Sequence, residues 1–361
     1  MDMSPAFAAP LSRNKKKALS VLCLSSLLCL AVLLTREFKE KSLPFDATAQ
    51  KAIQQVGLCH DEIYRMRQEL GIVLDERLDP ARSGLIGEDF TDLTTTLGDL
   101  NAKQKSLSPY FAGLIVQWLE QAGVRPGDCV AVNFTGSFPA LNIAAHCAFD
   151  ALEVRPVIFG SVGASSYGAN IPGFTWPDME RRLHEKGLIR HASRWLSLGG
   201  ILDSEGGLDG TGIFEAEAAI RRHGAEYIRE GRSSDVVTDV SRRMDLYLAH
   251  CQASAYISIG GSVTTLGWVA ESALLDTGLL KRIPVCSSEN RGLIFRFFER
   301  GVPVIHLLNI DRLASEYGIF PSADGHDLQD RTSFQYSRLL KLFILLSAWF
   351  LTGVFFTMRG Q

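Results

Sequence analysis

Apolar positions along the chain alternate between two periods. From Asp46 to Leu70, the residues Ile53, Val56, Leu58, Ile63, Met66 and Leu70 recur at three- and four-residue spacings, which predicts a helix. A second helix is predicted over Leu107 to Ala122, stopped by Gly123. The turn "RPGD" (Arg125 to Asp128) then introduces an apolar strand, "CVAVNF". Beyond it the pattern alternates. A helix runs over Phe138 to Leu152, a strand over Val154 to Gly160, and a helix over Pro177 to Lys186. After an ambiguous middle come a helix at Asp239 to Cys251 and a strand at Ala255 to Gly261. A short strand "IPVCSS", a helix "RGLIFRFFERG" and a strand at Val302 to Leu308 follow. Short apolar strands alternating with helices imply a mostly parallel sheet covered on both faces. The expected fold class is therefore α/β: a three-layer αβα body with right-handed crossovers. The loop "DSEGGLDGT" (Asp203 to Thr211) reads as a surface excursion in one domain, or else as a divider of two lobes.

The two ends have a different pattern. Ala18 to Leu34 carries no charge, and seventeen residues at about 1.5 Å each reach roughly 25 Å, the lower end of a membrane span. A cleaved signal peptide is the rival reading. The run ends in Thr35-Arg36-Glu37-Phe38, without the small residues of a cleavage site. Leu339 to Met358 is a second apolar run with one charge, Lys341, near its start, where the ammonium reaches the interface. A buried C-terminal helix is its rival, but no polar face recurs at helical spacing from Leu342 to Phe356. The expected organisation is a basic cytoplasmic tail (1–17), a transmembrane helix (18–35), an extracytoplasmic α/β domain (36–337), a second transmembrane helix (338–358) and a short cytoplasmic tail (359–361). The orientation follows "RNKKK" (Arg13 to Lys17), although Arg36, Lys39 and Lys41 stand on the far flank.

Composition is that of a globular protein: 361 residues, 46% hydrophobic, with a formal net charge of -3. No basic excess points to nucleic acid. Of seven cysteines, Cys23 and Cys29 fall in the first apolar run. Cys129, Cys147 and Cys251 sit in or beside apolar segments and read as small hydrophobes. With no CxxC and no regular spacing, a disulfide framework is not expected, although one bond is compatible with an oxidising compartment.

Three strands end in small and hydroxylated residues. The first ends in Asn133-Phe134-Thr135-Gly136-Ser137, the second in Gly160-Ser161-Val162-Gly163-Ala164-Ser165-Ser166, and the third in Gly260-Gly261-Ser262-Val263-Thr264-Thr265. In a parallel sheet all these loops share one edge, where ligands bind near a topological switch point. Glycine permits close approach, and helix starts offer unpaired N–H groups to a carboxylate or phosphate. The same residues also make ordinary caps and turns. The candidate ligand-binding residues are Asn133, Thr135, Gly136, Ser137, Ser161, Gly163, Ser165, Ser166, Gly260, Gly261 and Ser262.

Familiar catalytic patterns are missing. The sequence has no GxxxxGK[ST], no GxGxxG and no HExxH, and "GASSYG" is not a GxSxG elbow. No metal or cofactor is expected. His146 and His306 lie in apolar segments and read as core residues rather than catalytic bases. "DGHD" (Asp324 to Asp327) reads as a solvated linker, and the sequon Asn133-Phe134-Thr135 is discounted because its Asn ends an apolar strand. Ser137 and Ser165 are candidate nucleophiles that lack an identifiable base.

Three stretches carry a resemblance: "VAVNFTGSFPALNIA" (Val130 to Ala144), "GASSYGANIPGFTWPDME" (Gly163 to Glu180) and "YISIGGSVTTLG" (Tyr256 to Gly267). Together with the two terminal anchors, they resemble the bacterial poly-γ-glutamate system protein family. The resemblance implies a membrane-anchored accessory protein of poly-γ-glutamate synthesis or export in the bacterial cytoplasmic membrane. Its implied partners are the bilayer, synthase subunits or the polymer. It brings no catalytic residue. A polymer with one carboxylate per residue suits the Gly/Ser/Thr loops, but no broad basic surface would steer a polyanion. The alternative is an envelope hydrolase or transferase acting on amide-linked glutamate through a serine nucleophile.

Overall fold

The structure, a computed structural model, describes residues 45–200, 207–229 and 236–319. Both predicted membrane spans and the "DGHD" segment lie outside the described residues. Among the described residues no helix is long and apolar enough to cross a membrane.

The first described helix, α1 (Ala47–Glu69), starts where Asp46 accepts a hydrogen bond from Ala49 N at 2.8 Å. β1 (Thr94–Thr96), α2 (Leu100–Ser106) and α3 (Tyr110–Gln121) follow. The sequence pattern predicts only one helix here, from Leu107. Instead α2 comes earlier, and Pro109 begins α3. Proline has no N–H to continue a helix but is tolerated at its start.

The alternating body contains β2 (Cys129–Asn133), α4 (Pro139–Leu152), β3 (Arg155–Ser161), β4 (Ala164–Ser165), β5 (Asn170–Ile171) and β6 (Phe174–Thr175). It continues with α5 (Trp176–Glu185), β7 (Trp195–Ser197), α6 (Gly210–His223), β8 (Glu226–Tyr227) and α7 (Val236–His250). The last elements are β9 (Ala253–Ile259), α8 (Val263–Leu266), a 3-10 turn, β10 (Gly278–Leu279), α9 (Leu293–Glu299), β11 (Val304–Leu307) and α10 (Ile310–Tyr317). "IPVCSS" is not a strand. The element before α9 is β10, which pairs antiparallel with β11. Asp209, within the loop read as an excursion, caps α6.

The main sheet has the strand order β10-β11-β9-β2-β3-β7-β8. Every pairing in it except that of β10 is parallel. Pro156 sits in β3 without breaking the sheet, because β3 meets β7 only from Phe159 onward. At Pro156 that side of the strand has no ladder to lose. From β2 the chain steps through β3 and β7 to β8, then returns to β9 on the other side of β2. The switch point therefore lies between β2 and β9.

α1, α3 and α4 pack against one another, and α5 packs on α6. A separate apolar cluster joins α7 and α9 to the sheet through Tyr247, Phe297, Tyr256, Ala131 and Val304. Cys129 and Cys251 form a disulfide across 122 residues of sequence, with Cα atoms 5.6 Å apart. The expectation that both act as free hydrophobes is corrected. A register shift at the start of the β2–β9 pairing places Cys129 beside Ala253, close to Cys251.

Candidate functional site

The three Ser/Thr/Gly loops leave the carboxyl edge of three adjacent strands, β9, β2 and β3. Together with the segment after β11, they surround a cavity of about 520 Å³. That size suits a small ligand or one or two units of a chain. Thr135, Ser137, Ser161, Gly163, Ser165, Gly260, Gly261 and Ser262 line it.

Asn133, Gly136 and Ser166 do not line this cavity. Asn133 faces α7, where its Oδ1 accepts from Arg243 Nη1 at 3.2 Å. Its position follows strand alternation, since Ala131, two residues earlier, joins the cluster on the same side. Gly136 packs backbone to backbone. A Cβ there would run into the Val162 carbonyl oxygen and lie 3.0 Å from that of Gly163. Gly136 therefore serves close packing of two loops rather than ligand approach. Ser166 is buried just after β4, its N–H donating to Thr96 O at 3.0 Å.

Gly260 has φ +79°, and a Cβ on it would press against Thr135 Oγ1 across the switch point. Thr135 is only 6% exposed, and its Oγ1 has no hydrogen-bond partner among the described residues. A buried hydroxyl without a partner is uncommon, and beside a cavity it implies something to bond there.

The residue that sequence reasoning missed is Lys103. Asp99 caps α2 by accepting from Ala102 N at 2.8 Å. On the opposite side of α2, Lys105 Nζ meets Asp311 Oδ1 at 2.5 Å, fastening the helix to the start of α10. This leaves Lys103 pointing inward, 2% exposed. Its Nζ donates to the Ser137 carbonyl and, at 2.7 Å, to Ser165 Oγ. It also lies 3.8 Å from the centre of the Phe138 ring. No carboxylate pairs with it among the described residues. Burial lowers its pKa to about 7, against a smaller opposing pull from Asp99.

The two candidate serines are not equivalent. Ser165 Oγ contacts the amine. Ser137 Oγ instead accepts from Ser165 N at 3.0 Å and so holds the backbone of Ser165 in place. No sequence signal marked Lys103: the short helix that carries it is not predicted from the pattern, and the neighbouring Lys105 reads almost the same.

His146 and His306 are both buried. His146 Nε2 donates to Glu180 Oε1 at 3.0 Å, and His223 Nε2 donates to Glu180 Oε2 at 2.8 Å. Ser193 adds its N–H and its hydroxyl to the same carboxylate, each at 3.0 Å. Burial favours the neutral acid, but these imidazole bonds and charges outweigh it and hold Glu180 down to about 2. Among the described residues no group of three His, Cys, Asp or Glu side chains could hold a metal ion.

No protein-family model, curated protein or solved structure matches the chain.

Proposed function

We propose that this chain is a membrane-anchored accessory protein of poly-γ-glutamate synthesis or export. Its three-layer αβα body stands outside the cytoplasmic membrane between spans at 18–35 and 338–358. In that body, the cavity at the switch point holds a short stretch of the amide-linked glutamate chain. The observation that carries this reading is Lys103: a buried amine facing a cavity lined with hydroxyls, with no carboxylate paired to it among the described residues. An ammonium in that position is short of a counter-charge, and a ligand carboxylate supplies one. The rim also carries Asp99 and Asp311, the latter neutralised by Lys105. That charge pattern favours one or two glutamyl units over a long polyanion track. The Cys129–Cys251 disulfide supports an oxidising compartment for the body.

Calorimetric titration of the full chain in detergent with γ-linked glutamate oligomers tests the reading. Affinity is expected to fall as the pH rises above about 7, because only the charged form of Lys103 attracts a carboxylate. Lys103→Met is expected to weaken binding at least tenfold, the value of about 1.4 kcal/mol. Equal affinity in the two proteins would remove the cavity as the polymer site.

A further inference from the structure

We propose that Lys103 and Ser165 act as general base and nucleophile, cleaving an amide linkage of the chain held in this cavity. The inference rests on the reading that the cavity takes such a chain, and it adds chemistry to it. Three observations support it. Ser165 Oγ lies 2.7 Å from Lys103 Nζ, within proton-transfer reach. Both groups are held by the fold: Lys103 by the capped and pinned helix α2, Ser165 by the β1–β4 pairing and by Ser137 Oγ on its N–H. Thr135, more than nine-tenths buried in the same cavity, has a hydroxyl without a partner among the described residues and open to a ligand. Burial also leaves a substantial fraction of the amine neutral near pH 7, the state a base requires.

The chemistry balances without a further reactant except water. Neutral Lys103 Nζ takes the Ser165 hydroxyl proton as Oγ attacks the amide carbonyl carbon. One C–O bond forms, and the tetrahedral centre then collapses with loss of the C–N bond. The ammonium returns its proton to the departing amine, leaving an acyl ester on Ser165. Water, deprotonated by the same amine, attacks that ester. The products are a carboxylic acid, which releases its proton to solvent to become the carboxylate, and a Ser165 hydroxyl that regains its proton from Lys103. An amine in place of water gives transfer instead of hydrolysis. The charged form of Lys103 attracts a carboxylate and the neutral form drives attack, so a group titrating near pH 7 serves both. The two roles carry opposite pH signatures.

The test treats the full chain in detergent with a fluorophosphonate probe and locates the adduct by mass spectrometry. A single adduct on Ser165 is expected. Its rate should rise about tenfold per pH unit below about 7 and level off above, while oligomer affinity falls. Ser165→Ala should abolish the adduct. Lys103→Arg keeps the cation but cannot act as a base, and it should slow labelling on the order of 10²- to 10⁴-fold. The wild-type pH profile needs no variant, so misfolding of Lys103→Arg does not blunt the test. Oligomer binding with no adduct on Ser165 overturns the chemistry and leaves the binding site standing. An adduct without oligomer binding upholds the pair and removes γ-linked glutamate as its ligand. Neither signal overturns both readings.

Discussion

Two ionisable groups are buried equally deeply in this protein and are treated in opposite ways. Glu180 is 0% exposed and Lys103 is 2% exposed. Glu180 receives four hydrogen bonds, from His146, His223 and both polar groups of Ser193. Lys103 has a carbonyl, a hydroxyl and a ring face and, among the described residues, no paired carboxylate, only the weaker pull of Asp99. Both pKa values fall, but the meanings differ. For the carboxylate, a lower value marks a charge the fold stabilises. For the amine, it marks a charge the fold resists. The first group lies among α4, α5 and α6 with both of its carboxylate oxygens bonded. The second faces a cavity. Saturation is the signature of a structural group, and a deficit beside open space is that of a site.

The largest effect is expected where the network is saturated. Glu180→Gln keeps the side-chain volume but exchanges an acceptor oxygen for a donor. At the Oε2 position the new amide faces the Ser193 N–H, and at the Oε1 position it fits only if His146 changes tautomer and the Ser193 hydroxyl turns to accept; in either case the carboxylate charge is lost. Breaking a buried charged network in this way costs about 3–5 kcal/mol. At roughly 2–4 °C per kcal/mol, the melting temperature should drop by about 10 °C. The acid limb should change as well. Glu180 has a folded pKa of about 2, below its ordinary 4.5, so its contribution is full above pH 4.5 and is lost as the pH falls towards 2. Thermal melts between pH 5 and pH 2.5 should fall more steeply in the wild type than in the variant. A variant as stable as the wild type would mean the network is not saturated as described, and the comparison would collapse.

Lys103 should show the opposite slope. Its folded pKa of about 7 lies below the ordinary 10.5, so between those values the unfolded chain binds more protons. Stability therefore rises with pH across that window, by about 2 kcal/mol from pH 7 to pH 9. Lys103→Met removes the titrating group and should flatten the rise. Chemical denaturation at pH 7, 8 and 9 measures it. An unchanged slope in the variant would show that Lys103 keeps its ordinary pKa and is not a site of this kind.

The contrast also separates what could be read along the chain from what could not. The convergence of Thr135, Ser137, Ser161, Ser165 and Ser262 was legible, because parallel strands must present their carboxyl ends on one edge. The buried state of His146 was legible from the apolar helix around it. Its partners were not: Glu180 and His223 come from two later helices, and their meeting depends on how α5 and α6 pack. Asn133 and Gly136 show the limit within a legible loop. Composition marks the loop, but the side to which each residue turns is settled by strand register and by backbone contact. Lys103 lay furthest from reach. It is 62 residues from Ser165, and its inward direction depends on the tie between Lys105 and Asp311, 206 residues apart in sequence.

The smallest expected effect is the sharpest on the assignment of roles within the open site. Ser137 and Ser165 read alike in the sequence, yet only Ser165 Oγ contacts the amine. Ser137→Ala removes one hydrogen bond, from Ser165 N, and should cost about 1 kcal/mol. The carbonyl of residue 137 remains, so the hold on Lys103 is kept. Labelling of Ser165 should slow by about tenfold or less, because its backbone loosens while its base stays in place. The pH midpoint of labelling should not move. Loss of the adduct as complete as in Ser165→Ala, with the fold intact by circular dichroism, would transfer the nucleophile to Ser137. The cavity would then keep its ligand but exchange the roles of its two serines.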